Sequence, residues 1–93
     1  MAQILRHANV TMTNANAEYS FDFSQGLGKI QFQCRTAFDI RYSYETGKVA
    51  TPTAPYFTLK SGSVYSWNNL TAGRTKVYFA CPSAGKVLEI EYI

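Results

Sequence analysis

The sequence predicts an all-β chain: a single small antiparallel β-sandwich of jelly-roll-like type, with about eight strands, spanning residues 1–93. Three observations predict it. Short runs in which apolar and polar residues alternate recur along the chain, the period-2 pattern of a half-buried strand. Turn residues punctuate these runs at the spacing of a sandwich or barrel. No apolar set at i, i+3, i+4, i+7 survives beyond one turn, so no helix is expected.

Ile4 to Met12 is the first candidate strand, favoured by Thr and Val although its alternation is imperfect, and the N-terminal segment Ala2 to Arg6 is expected to extend toward a neighbour. After the polar turn Thr13 to Asn16, the aromatics Tyr19, Phe21 and Phe23 alternate with Ser20, Asp22 and Ser24. Gly26 to Gly28 ends that strand. Lys29 to Arg35 sets Ile30, Phe32 and Cys34 against Gln31, Gln33 and Arg35. The clearest alternation is Phe38, Ile40, Tyr42 and Tyr44 against Asp39, Arg41, Ser43 and Glu45, with the charged face expected in solvent. Lys48 to Pro55 is the longest irregular stretch; Pro52 and Pro55 stiffen it and deny it a place inside a sheet, so it must cross the surface. Tyr56 to Lys60 and Ser63 to Trp67 read as two strands of a hairpin turned at Ser61-Gly62. Arg74 to Cys81 and Lys86 to Ile93, separated by the turn Pro82 to Gly85, complete the set.

Hydrophobic residues at 46 % and aromatics at 15 % supply enough apolar surface for collapse and exclude a disordered composition. A domain of this size buries only roughly 60–65 % of the surface its unfolded chain exposes, so association with neighbours would add to a thin margin and a homo-oligomer is expected. The net charge of +3 comes from basic residues scattered singly, with only Arg74 and Lys76 close on one strand. Nucleic-acid binding needs several cations on one surface and is not expected. Met1 to His7 lacks the charged start and apolar run of a secretory signal, and no stretch approaches the ~20 apolar residues of a membrane helix. Synthesis in a cytoplasm and no membrane partner are the expectations. Cys34 and Cys81 stand in no metal or redox motif and are expected to be buried free thiols, each at the end of an inward face.

Catalytic chemistry finds little to work with. The single histidine, His7, leaves no two-His metal site and no triad. Glu89 and Glu91 share a strand face, but i, i+2 spacing is what any solvated face shows. Gly26-Leu-Gly28 lacks the rest of a phosphate-binding pattern. No enzyme activity, metal or cofactor is expected. The aromatics are the stronger signal: Tyr56, Tyr65, Trp67 and Tyr78 need not all face inward, and exposed rings suit a protein interface or a sugar. For Trp67 itself, the size of the ring in a small domain favours the core or a place under a loop.

The stretch FQCRTAFDIRYSYETGKVATPTAPYFTLKSGSVYS, residues 32–66, and the closing strand VLEIEY, residues 87–92, resemble small virion-associated proteins of tailed bacteriophages, a likeness that runs from about Val10 onward. The resemblance implies a structural role in the particle, most plainly a capsid decoration (cement) protein that binds the major capsid protein and stabilises the shell. A head–tail or fibre-attachment component is a second structural option, and a glycan-binding adsorption module comes from a different class. The contacts expected for a virion partner are Ile4 and Arg6 in the N-terminal segment, Pro52 and Pro55 in the crossover, and Tyr56, Tyr65 and Trp67. For a glycan, the same rings would act beside Asn68, Asn69 and Arg74.

Overall fold

A computed structural model describes residues 6–23, 29–68 and 75–92. Eight strands are present: β1 (Arg6–Met12), β2 (Tyr19–Phe23), β3 (Lys29–Cys34), β4 (Ile40–Ser43), β5 (Phe57–Leu59), β6 (Val64–Asn68), β7 (Thr75–Ala80) and β8 (Lys86–Tyr92). They form two four-stranded antiparallel sheets, ordered β1-β8-β3-β6 and β2-β7-β4-β5. Odd and even partners from opposite ends of the sequence interleave, which is the jelly-roll arrangement of two facing sheets.

The alternation seen in the sequence explains the packing. In the first sheet Ile30, Phe32, Leu88 and Ile90 point inward; in the second, Phe23, Ile40, Val77 and Phe79 meet them, and all eight are essentially inaccessible to solvent. Each such side chain contributes about 1.5–3 kcal/mol by leaving water. Register carries the rows across the sheet: Arg6, Tyr92, Ile30 and Trp67 form one, and Phe32 lies between Ile90 and Tyr65 in another. Met12 and Val49 are also fully buried, the second anchoring the crossover that the prolines keep outside the sheets.

Four expectations need correction. The Ser61-Gly62 turn does not make a hairpin: Ser63 N–H donates to the Lys60 carbonyl at 3.0 Å and Gly62 takes φ +84°, but the turn carries the chain from one sheet to the other. β5 therefore pairs with β4, and β6 with β3. The segment from Phe38 to Glu45 is a strand only over Ile40–Ser43, and its inside–outside phase breaks at its end, where Ser43 is buried. Its hydroxyl donates to the Pro55 carbonyl at 3.1 Å and accepts the Glu45 N–H at 3.2 Å, which satisfies the buried oxygen. Arg41, expected in solvent, is half-buried: its guanidinium donates to Val49 O at 2.7 Å, Ala50 O at 3.4 Å and Asn16 Oδ1 at 2.8 Å, fastening the crossover to the second sheet. Finally, Cys81 is buried but Cys34 is only half-buried; both are free thiols.

Candidate functional site

Inward-facing position is not the same as burial, and the side of the sandwich formed by β5 and β6 shows why. On β5, Leu59 pairs with Ile40 and is buried, while Phe57, two residues away on the same face, pairs with Tyr42 and is 51 % exposed. On β6, Tyr65 lies opposite Phe32 and Trp67 opposite Ile30; both partners are buried, yet Trp67 is 54 % exposed. The three-residue β5 is too short to cover the far end of the five-residue β6. The result is an open mouth between the sheets of about 560 Å³, lined by Ile30, Tyr42, Tyr44, Phe57, Tyr65 and Trp67.

The wall of this mouth is rigid because its rings pack on each other and on the core. Tyr65 stacks on Phe32 with centroids 4.4 Å apart and 13° between planes, and Tyr42 stacks on Phe57 at 5.4 Å and 28°. Tyr42 meets Tyr65 edge-on at 5.2 Å. The hydroxyls of Tyr44 and Tyr65 hydrogen-bond to each other, which ties the end of β4 to β6 across the mouth. Burial pushes the phenols of Tyr44, Tyr42 and Tyr65 above their ordinary range, and the shared hydrogen bond raises Tyr44 further while opposing the rise at Tyr65. Among the described residues, no carboxylate, amine or imidazole lines the mouth. Such a site suits rings and aliphatic groups.

The sequence-predicted residues separate into groups. Tyr65 and Trp67 are brought together in the mouth, which corrects the expectation of Trp67 in the core or under a loop: its neighbours on the inner face are core, but no opposing strand covers it. Tyr56 is exposed beside Phe57 without lining the mouth. Pro52 and Pro55 are exposed on the crossover, the latter after a cis peptide bond. Arg6 is half-buried on β1, the opposite edge of the same sheet, in the row of Trp67 but three strands from it. Ile4, Asn69 and Arg74 lie outside the described residues. Tyr42, Tyr44 and Phe57 were not singled out as site residues; the signal for Phe57 was its place two residues before the inward Leu59 on a strand flanked by a proline.

Elsewhere, polar clusters serve the fold. Glu18 accepts the Thr46 hydroxyl at 2.7 Å and the Gly47 N–H at 2.8 Å, and Asp39 accepts the Ser61 N–H at 2.6 Å. The Cys34 thiol is pushed up to about 11, first by burial and then by the nearby Cys81 and Asp39, so it stays protonated and unreactive at neutral pH. Among the described residues no group of three His, Cys, Asp or Glu side chains could hold a metal ion.

No protein-family model matches the chain, and no curated protein matches its sequence. Among solved structures it is similar to a de novo designed double-stranded β-helix determined by solution NMR, at 20 % identity over 94 % of this chain and 96 % of that one, with a TM-score of 0.58. This likeness is one of fold alone. The chain is also similar to one from the Bacillus endospore appendages, a novel family of disulfide-linked pili, at 17 % identity over 96 % of this chain and 86 % of that one. With a TM-score of 0.44, that second likeness is too loose to bear on topology or role.

Proposed function

We propose that the protein is a non-enzymatic structural component of a bacteriophage virion, a capsid decoration protein that binds the major capsid protein and strengthens the shell. The observation that carries this is the ring-lined mouth between β5 and β6, a preformed and mainly apolar surface, which fits contact between proteins better than chemistry on a small molecule. The likeness of residues 32–66 to small phage virion proteins gives the partner, and the mildly basic surface suits an acidic shell. The protein is made in the host cytoplasm and works on the particle without metal or cofactor. Many copies, each adding a modest interface, together raise the temperature a shell withstands.

Purified protein mixed with shells that lack it should bind at defined occupancy and raise their melting temperature. Shells that neither take up the protein nor gain stability refute the assignment. A glycan-binding role is the second reading, favoured by one observation: the rings of Phe57 and Trp67 are bare in a concave opening on the isolated chain. Binding to a glycan array, with none to shells, would favour that role.

A further inference from the structure

We propose that the β5–β6 mouth is a self-association surface, in which β6 of one protomer pairs antiparallel with β6 of a second copy about a two-fold axis and each covers the other's Trp67 and Phe57. The inference rests on reading the mouth as a protein contact and names its partner as another copy of this chain.

Three features of this side point to a second copy. First, β6 ends its sheet, and among the described residues nothing pairs with its outer edge. A free edge is a template for another strand unless it is defended by charge, proline or a bulge. Phe57–Leu59 and Val64–Asn68 contain no charged residue and no proline, whereas the edges on the opposite side carry Arg6 and His7 on β1 and Asp22 on β2. For a chain of net charge +3, the uncharged edge is where two copies can meet without opposing cations at the contact.

Second, the area is of the right order. Trp67, Phe57, Tyr44 and Tyr56 are 54, 51, 46 and 37 % exposed, and Val64 is 48 % exposed. Tyr56 and Val64 lie outside the mouth; at about 150–250 Å² per ring, Trp67, Phe57 and Tyr44 leave roughly 300 Å² in water, over a third of the ~800 Å² that each partner of a standard interface buries, before the strand backbone is added.

Third, the register is self-complementary. Pairing centred on Ser66 sets Val64 opposite Asn68 of the other copy and Tyr65 opposite its Trp67, and a two-fold axis normal to the sheet keeps both inner faces on the same side. Ring would meet ring across the new pair, the arrangement that antiparallel neighbours favour. The two mouths would then close into one apolar interior between two sandwiches. A dimer of this kind presents its remaining surfaces twice, which is what bridging adjacent shell subunits requires.

Trp67 is the only tryptophan in the chain, so its emission reports on the mouth directly. Sedimentation equilibrium of the whole chain should show a dimer that dissociates on dilution, with Trp67 emission shifting to the red as the mass halves. Phe57→Lys and Trp67→Glu should each raise the dimer dissociation constant about 100-fold or more while far-UV circular dichroism stays that of the parent. Thr11→Lys, on the exposed edge of β1, should leave it unchanged. A monomer at all concentrations, or a dimer indifferent to both mouth variants, overturns the proposal. A monomer whose Trp67 emission moves only when empty shells are added also overturns it and gives the mouth to the capsid protein; the same shift with glycans alone gives it to a sugar. A monomer that stabilises shells leaves the decoration role standing, and a mouth-dependent dimer that ignores shells refutes that role but not the dimer.

Discussion

On the side of the sandwich where β1 and β2 run, the gap between the sheets is closed by rings: Phe21 and Phe23 lie edge to face at 4.8 Å, and Tyr92 meets them at 5.5 and 5.6 Å. On the opposite side the rings are more numerous, and Tyr42, Phe57 and Tyr65 pack on one another as closely, yet the mouth stays open. The difference is in strand length. β2 is five residues long and carries Phe23 far enough to be buried; β5 is three and leaves Phe57 at the rim. An aromatic on the inner face becomes core only where a strand of the facing sheet runs over it.

That contrast can be broken most sharply at Phe23. Truncation to Ala removes a fully buried ring from the closed side and should cost about 3–5 kcal/mol, measured by urea unfolding. The equivalent change on the open side, Phe57→Ala, should cost the monomer about 1 kcal/mol or less, because the ring is already half in water. Equal losses at the two positions would show that the open side is covered in solution.

Two pH experiments probe the sheet that carries both edges. The Cys34 thiol ionises at about 11 in the folded chain against an ordinary 9.0. Between those values the unfolded chain has lost its proton and the folded one has kept it, so stability must fall as pH rises from 9 to 11. Cys34→Ala should flatten that alkaline decline, as followed by unfolding midpoints. The smallest effect belongs to Glu89, partly exposed on β8, whose carboxyl is held below its usual range by hydrogen bonds from Gln33 and Arg35. Its contribution is present above the ordinary carboxylate range and lost as pH falls through the lowered value; Glu89→Gln should remove this shallow acid dependence without moving the neutral midpoint appreciably.

The strands were legible because alternation is a local property. Tyr19 to Phe23 and Lys86 to Tyr92 announce their inner faces within five to seven residues. What a turn connects is less local: only Gly62, the second central residue, takes a left-handed φ of +84°, which makes an unprimed turn that splays its flanks, but the pair Ser61-Gly62 in the sequence does not by itself tell this turn from the primed turn of a hairpin. Arg41 looked like a solvated charge because its acceptors, the carbonyls of Val49 and Ala50, come from a crossover whose path alternation does not encode. The size of the Trp67 ring suggests the core or a place under a loop, but its exposure depends on where β5 stops, which the sequence near Trp67 does not show.

The strand order also bears on how quickly this architecture can be reached. Among the described strands only β4 and β5 pair with a neighbour in sequence; β1 waits for β8, β2 for β7 and β3 for both β6 and β8. Long loops must close before most ladders gain a single hydrogen bond, which puts assembly in the millisecond-to-second regime of β-rich domains, far slower than helical bundles. Throughout that interval a neutral strand such as β6 is available to any other unfinished copy. Refolding yield should therefore fall with protein concentration well before the equilibrium midpoint moves, and a charge set on β6 should restore it.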